Sequence, residues 1–167
     1  TPYDGSIFGN VTIDAGATLN GGNSSGKSLL MFGSVINNGT LTATSTGGSL
    51  RFKGANIINN GTVNPAGSLF FDTTTALAGS GNFTSFASLS ANANVTLNSA
   101  HQMHGIVINA GASFNISNNH LKLTASNPIT QNGTFTNVNS KIEYNGTLAQ
   151  SVSTANIVYS GLRINNS

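Results

Sequence analysis

Ile36-Asn37-Asn38-Gly39-Thr40-Leu41 returns 22 residues later as Ile58-Asn59-Asn60-Gly61-Thr62-Val63. Weaker echoes are Ile108-Asn109-Ala110-Gly111, Gln131-Asn132-Gly133-Thr134-Phe135 and Glu143-Tyr144-Asn145-Gly146-Thr147. A second phrase interleaves with the first. Ser28-Leu29-Leu30-Met31-Phe32 aligns with Ser49-Leu50-Arg51-Phe52-Lys53 at an offset of 21, and that phrase with Ser68-Leu69-Phe70-Phe71-Asp72 at an offset of 19. Leu121-Lys122-Leu123 aligns with Ile142-Glu143-Tyr144, again 21 apart. A repeat near 20 residues is the mark of stacked architectures, in which one unit cannot bury its own apolar face and its neighbours complete the core. The spacing drifts by a residue or two, as it does when turns accept insertions and strands do not.

Inside each phrase, apolar and polar residues alternate. Leu50 and Phe52 bracket Arg51, Val95 and Leu97 bracket Thr96, and Leu121 and Leu123 bracket Lys122. Period two marks half-buried strands, and no stretch carries a 3.6-residue apolar stripe. Asn-Asn-Gly, Asn-Gly-Gly (20–22), Thr-Gly-Gly (46–48) and Gly-Ser-Gly (79–81) separate the strands. Asn and Gly tolerate positive φ, so these triplets read as corners. The prediction is an all-β parallel β-helix (β-solenoid) without helix, occupying 1–167 as a single domain. It has 20–22 residues per coil, two or three strands per coil, and about eight coils at ~4.8 Å each.

Stacking at this period predicts specific neighbours. Asn37 lies over Asn59 and Asn38 over Asn60, forming an amide ladder at the Gly39 and Gly61 corner. Lys53 meets Asp72, and Lys122 meets Glu143, as outward opposite-charge pairs.

Composition narrows the classes of function. Asn, Ser, Thr and Gly make up about half of the 167 residues, charged residues only 6%, and the net charge is +2. Leu, Ile, Val and Phe supply roughly a quarter, above the level at which disorder is suspected. Six scattered Lys and Arg form no stripe for tracking phosphates, which argues against nucleic acid. No cysteine is present, and no apolar run reaches the length of a membrane span.

Ser140-Lys141-Ile142-Glu143-Tyr144-Asn145-Gly146-Thr147-Leu148-Ala149-Gln150 and Tyr159-Ser160-Gly161-Leu162-Arg163-Ile164-Asn165-Asn166-Ser167 resemble repeats of large secreted or surface-anchored bacterial proteins, especially those exported by the type IX system. The Asn-Gly-Thr coils are similar to the β-solenoid shafts of filamentous-haemagglutinin-type adhesins. The resemblance implies a right-handed parallel β-helix, export to the cell surface or beyond, and an adhesive or structural role. It transfers no catalytic residues.

Candidate sites are few. A pectinase-like enzyme needs converging carboxylates, but the only acids are Asp4, Asp14, Asp72 and Glu143. Asp72 and Glu143 fall three to four coils apart, and Asp14 takes the corner position that Asn37 or Asn38 fills elsewhere. His101, His104 and His120 read as surface residues. The first two, three apart on a strand, point to opposite faces, which disfavours a metal site. A threonine row at Thr40, Thr42 and Thr44 would suit ice, but its partners one coil on are Thr62, Asn64 and Ala66. Exposed aromatic platforms for glycans are sparse, with no Trp; Phe70 alone is placed facing outward. The Asn-X-Ser/Thr triplets read as corner-and-strand grammar rather than as glycan acceptors. The expectation is a non-enzymatic extracellular module without cofactor, serving as stalk, adhesin segment or filament subunit and self-associating through open strand edges at its ends. The alternative is a binding module for polysaccharide or ice.

Overall fold

The computed structural model describes residues 5–21, 26–90, 92–153 and 156–166. The chain winds through three short strands per coil, each joined to the next by a tight corner. The first coil holds β1 (Gly5–Ile7), β2 (Val11–Ile13) and β3 (Thr18–Asn20). The second holds β4 (Ser28–Met31), β5 (Val35–Asn37) and β6 (Thr40–Ala43), and the third β7 (Ser49–Phe52), β8 (Asn56–Asn59) and β9 (Thr62–Pro65). Then come β10 (Ser68–Phe71), β11 (Thr75–Ala78), β12 (Asn82–Leu89), β13 (Asn94–Leu97) and β14 (His101–Ile108). The chain continues through β15 (Ser113–Asn115), β16 (His120–Leu123), β17 (Ile129–Gln131), β18 (Thr134–Thr136), β19 (Lys141–Tyr144) and β20 (Leu162–Ile164). Among the described residues all pairings are parallel and none is helical, and the strands stack into a β-solenoid of about seven turns rather than eight.

Three faces result. The first carries β1, β4, β7, β10 and β17, and the second carries β2, β5, β8, β11, β13, β15 and β18. The third carries β3, β6, β9, β16, β19 and β20. The eight-residue strands β12 and β14 turn the corner from the third face to the first and so join the two into one sheet. At that corner Phe83 pairs with Met103 but Phe86 with Gly105, so β12 holds one extra residue, a β-bulge. A Cβ on Gly105 would run into the Phe86 ring, which fixes glycine there.

Inward residues form columns along the axis. Leu29, Leu50, Leu69, Ala87, Ile106 and Ile129 are successive partners on the first face. Val35, Ile57, Leu77 and Leu97 line the second. Leu41, Val63, Phe83, Met103, Leu123 and Tyr144 line the third. These belong to one continuous apolar core. Each is buried only because the coils above and below cover it, which is why the repeat, not any single coil, is the stable unit. The repeat length is looser than predicted. Leu69 pairs with Ala87, 18 residues on, whereas Gly5 pairs with Leu29, 24 on. The variation falls in the corners, while strand register is kept because a one-residue slip would turn the apolar set outward.

Two expectations about the Asn-Asn-Gly phrase need correction. Asn37 and Asn59 stack as expected, but inside the coil rather than in the corner itself. They end β5 and β8 facing inward and are fully buried, and only Asn38 and Asn60 are exposed. Gly39 and Gly61 are likewise not left-handed: positive φ occurs instead at Gly16, Gly26, Gly79, Gly111, Asn92, Asn118, Asn139 and Asn156. Gly39 and Gly61 are required for space. A Cβ on Gly61 would press on the carbonyl of Gly39, and one on Gly81 on that of Gly61. Below Gly81 the same inward position widens to His101, Leu121 and Ile142.

The two ends differ. At the first coil, Ile7, Val11, Ile13 and Leu19 line an open depression of about 400 Å³. After β19 the chain leaves the strand pattern and folds over the core. Gln150 Nε2 donates to the carbonyls of Leu123 (3.0 Å) and Ala125 (2.8 Å), while Gly146 N–H donates to Gln150 Oε1 (2.6 Å). The Tyr144 and Tyr159 hydroxyls meet at 2.6 Å beside buried Ile157. Burial and this hydroxyl contact push the Tyr159 phenol well above its ordinary pKa. β20 then re-enters the third face with Leu162 and Ile164, in line with Ile142 and Tyr144, only half covered.

Candidate functional site

The buried amides form the ladder from the inside. Asn37 Nδ2 donates to Asn59 Oδ1 (2.8 Å) and to the Thr62 carbonyl (3.1 Å), and Asn59 Nδ2 donates to the Asn82 carbonyl (3.3 Å). Asn37 Oδ1 accepts from Gly39 N–H at 3.2 Å. Asn60 Nδ2 donates to Asn38 Oδ1 at 2.9 Å on the outside. All six residues of the phrase thus act in stacking rather than in chemistry.

Two charge clusters occupy different faces. On the first face, Asp72 accepts a bidentate pair from Arg51 (Nε 2.7 Å, Nη2 2.8 Å) and lies 3.2 Å from Lys53 Nζ. Ser90 Oγ completes its shell at 2.5 Å. Burial favours a neutral Asp72, but the hydrogen bonds from Arg51 and Ser90 and the two cations outweigh it and hold the carboxyl below its usual range. Arg51 also covers the ring of Phe70 at 4.4 Å, so Phe70 faces outward beneath a cation. Phe8 and Phe32, both exposed, stack at 4.9 Å on the same face.

On the third face, Glu143 is sunk among cations. Lys122 and Glu143 are in register, but the groups within ion-pair distance are others. His120 Nε2 (3.2 Å), Arg163 Nη1 (3.5 Å) and Lys141 Nζ (3.6 Å) surround Oε2, while Lys122 acts through space. The side chain of Glu143 is 3% exposed, against 27%, 43% and 53% for His120, Lys141 and Arg163. Both acids hold outward positions, as the alternation suggested, but their carboxyls are recessed among their partners rather than open to solvent. Burial would raise the Glu143 carboxyl; Arg163, Lys122, His120 and Lys141 together lower it. These contacts are long, and Oε2 has no directed hydrogen bond, unlike the bidentate Asp72.

The histidines are not a surface set. His101 is 3% exposed, with Nδ1 3.2 Å from the Gly81 carbonyl, and burial pulls its pKa down despite that bond. His104 points outward, its Nδ1 3.2 Å from Thr124 Oγ1 and its ring edge-on to Phe86 at 4.9 Å. Burial, Lys141 and Lys122 lower the His120 pKa against the pull of Glu143. Among the described residues no three of His, Cys, Asp and Glu group as metal ligands. Asp72 lies on β10's edge of the first face and Glu143 three coils on in the third; Asp4 lies outside the described residues. No helix among the described residues is long and apolar enough to cross a membrane.

The remaining outward positions of the third face form polar columns. Thr18, Thr40, Thr62, Asn82, Gln102, Lys122, Glu143 and Arg163 are successive partners. Beside them run Asn20, Thr42 and Asn64, with Thr84 Oγ1 bonded to Asn64 Oδ1 and Asn165 Nδ2 to Asn145 Oδ1 (2.7 Å). The threonine row ends at Asn82, the fourth coil. Compared with protein-family models, curated proteins and solved structures, the chain finds no match. Its class is that of β-solenoid repeat proteins.

Proposed function

We propose that the chain is a non-enzymatic structural module of a secreted or surface-displayed protein, a stiff segment of a stalk, adhesin shaft or filament. The supporting observation is the unbroken parallel ladder on three faces, whose terminal strands keep inward apolar residues half covered: Ile7 and Leu19 at one end, Leu162 and Ile164 at the other. Such edges accept a further strand, from adjoining sequence or from a second copy. The side chains fit this role, since of the described acids Asp72 and Glu143 are held in ion pairs and Asp14 has no second carboxylate beside it. The sequence likeness to type IX-exported repeats and haemagglutinin-type shafts points the same way.

Electron microscopy and sedimentation of the purified chain test the proposal. Rods about 35 Å long, about seven turns at ~4.8 Å each, that lengthen in multiples as concentration rises are expected. A monodisperse monomer at high concentration overturns the assembly reading.

A further inference from the structure

The formal charge of the chain is distributed unevenly. Lys27, Arg51 and Lys53 balance Asp4, Asp14 and Asp72 in number, so the entire net charge of +2 comes from Lys122, Lys141, Arg163 and Glu143. These four, with His120, occupy adjacent outward positions on three consecutive coils of the third face. The carboxylate is recessed and the cations stand above it, so the surface presented to solvent is cationic. The cations are not saturated, because their contacts to Glu143 Oε2 are long and undirected. Directly beside them lies a depression of about 230 Å³, lined by Ser80, Asn82, Ala100, Gln102, His120 and Lys122.

We propose that this depression and its cationic rim bind an acidic polysaccharide, with sugar hydroxyls on Ser80, Asn82 and Gln102 and a carboxylate or sulfate on Lys122 and its neighbours. The depression is open and shallow, suited to a linear chain rather than an enclosed small molecule. The outward columns that extend from it along the axis are Thr, Asn and Gln, which pair with hydroxyls. No Phe, Tyr or Trp stands among the outward residues of these columns, the large rings on which single-stranded nucleic acid stacks its bases. A second copy of the chain is a poor source of the anion, because its Asp72 and Glu143 carboxylates are already enclosed by cations and exposed Asp14 offers one isolated carboxylate rather than a row of them. The proposal goes beyond the structural role and does not depend on it, since a rod that never assembles still presents this strip.

Polygalacturonate, dextran sulfate, neutral dextran and single-stranded DNA serve as probes in affinity electrophoresis and titration at 0.15 M salt. Binding to at least one of the two acidic polysaccharides, more tightly than to DNA and without binding to dextran, is expected. Lys122→Gln/Arg163→Gln is expected to weaken binding about tenfold, or about 1.4 kcal/mol, since two surface charge contacts are lost. Ala100→Phe fills the depression without changing any charge and is expected to weaken binding comparably, with an unaltered circular dichroism spectrum. Lys27→Gln, four coils away, is expected to bind as the parent does. The proposal is overturned by absence of binding to both acidic polymers, by equal or tighter binding of DNA, or by Ala100→Phe and the double variant binding like the parent while folded.

Discussion

Replacing Asn59 by alanine is expected to separate the inner amide ladder from the outer one. Asn59 is fully buried. The substitution removes the acceptor of the 2.8 Å bond from Asn37 and the donor of the 3.3 Å bond to the Asn82 carbonyl. Asn37 keeps its bond to the Thr62 carbonyl and its acceptance from Gly39 N–H, so its amide loses one partner of three. A buried polar group deprived of its partner costs about 1–3 kcal/mol, and the small cavity adds to it. The expected loss is about 2–4 kcal/mol, or roughly 4–16 °C in Tm for a chain of this size. Asn60→Ala breaks a bond of similar length, 2.9 Å, but at the surface, where water replaces it. Its expected cost is about 0.5 kcal/mol or less. Equilibrium urea denaturation followed by far-ultraviolet circular dichroism compares the two. Equal losses for both variants would refute the assignment of Asn59 to the interior and of Asn60 to the exterior of the coil.

Other substitutions probe different links. Gly61→Asn is expected to cost roughly 2 kcal/mol or more from overpacking because its Cβ meets the Gly39 carbonyl, whereas Gly16→Asn, strained at φ +81° but with open space around it and a side chain that tolerates the left-handed region, is expected to cost about 1 kcal/mol; thermal melts of the two decide, and equal costs would refute the distinction. Glu143 and Asp72 have folded pKa values below their unfolded ones, so their ion pairs contribute fully above pH ~5 and the contribution fades as pH falls through the folded values. Glu143→Gln is accordingly expected to flatten the acid limb of a stability–pH profile. His101 is held neutral by burial, its pKa lowered, so its contribution is present above pH ~6.5 and is lost below it. His101→Leu, which continues the column of Leu121 and Ile142, is expected to remove that loss, and an unchanged profile between pH ~5 and ~6.5 would count against it.

The fold was legible because burial in a solenoid is repetitive. Leu50 recurs as Leu69, and Leu121 as Ile142, because each must cover the residue of the preceding coil, so packing is written as periodicity. What was not legible is the sign of the Asn-Gly phrase. Asn and Gly serve corners through φ and interiors through hydrogen bonding or lack of a Cβ, and the letters are the same in both uses. The Asn37–Asn59 pair was readable as a stack, but whether the stack faced inward depended on the phase of β5 and β8. Alternation settles that phase: Val35 and Ile57 are inward and precede the amides by two residues. The same count, extended one column, would have placed His101 inside with Leu121. The Glu143 cluster was half readable, since register gave Lys122 as its neighbour. The other three groups depend on side-chain reach, His120 and Arg163 from the adjacent coils and Lys141 from two residues away on the same strand.

A solenoid with so few charges has little electrostatic means of choosing what it touches, so the placement of those few matters more than their number. On the first face Arg51 and Lys53 are held on Asp72 by directed bonds, and the neighbouring outward positions are aromatic or aliphatic: Phe8, Phe32, Leu30 and Phe70. That face holds both cations close on its one carboxylate and leaves apolar contact area. On the third face the outward columns are hydroxyls and amides that end in cations outnumbering their one sunken carboxylate. Nothing in coil stacking demands this difference, since both faces rest on the same apolar core and outward positions contribute little to it. If stacking alone governed the outward residues, exchanging Lys122 for glutamine would change neither stability nor binding beyond error. If the third face is a recognition surface, the same exchange leaves stability within about 0.5 kcal/mol and weakens the binding of acidic polysaccharide.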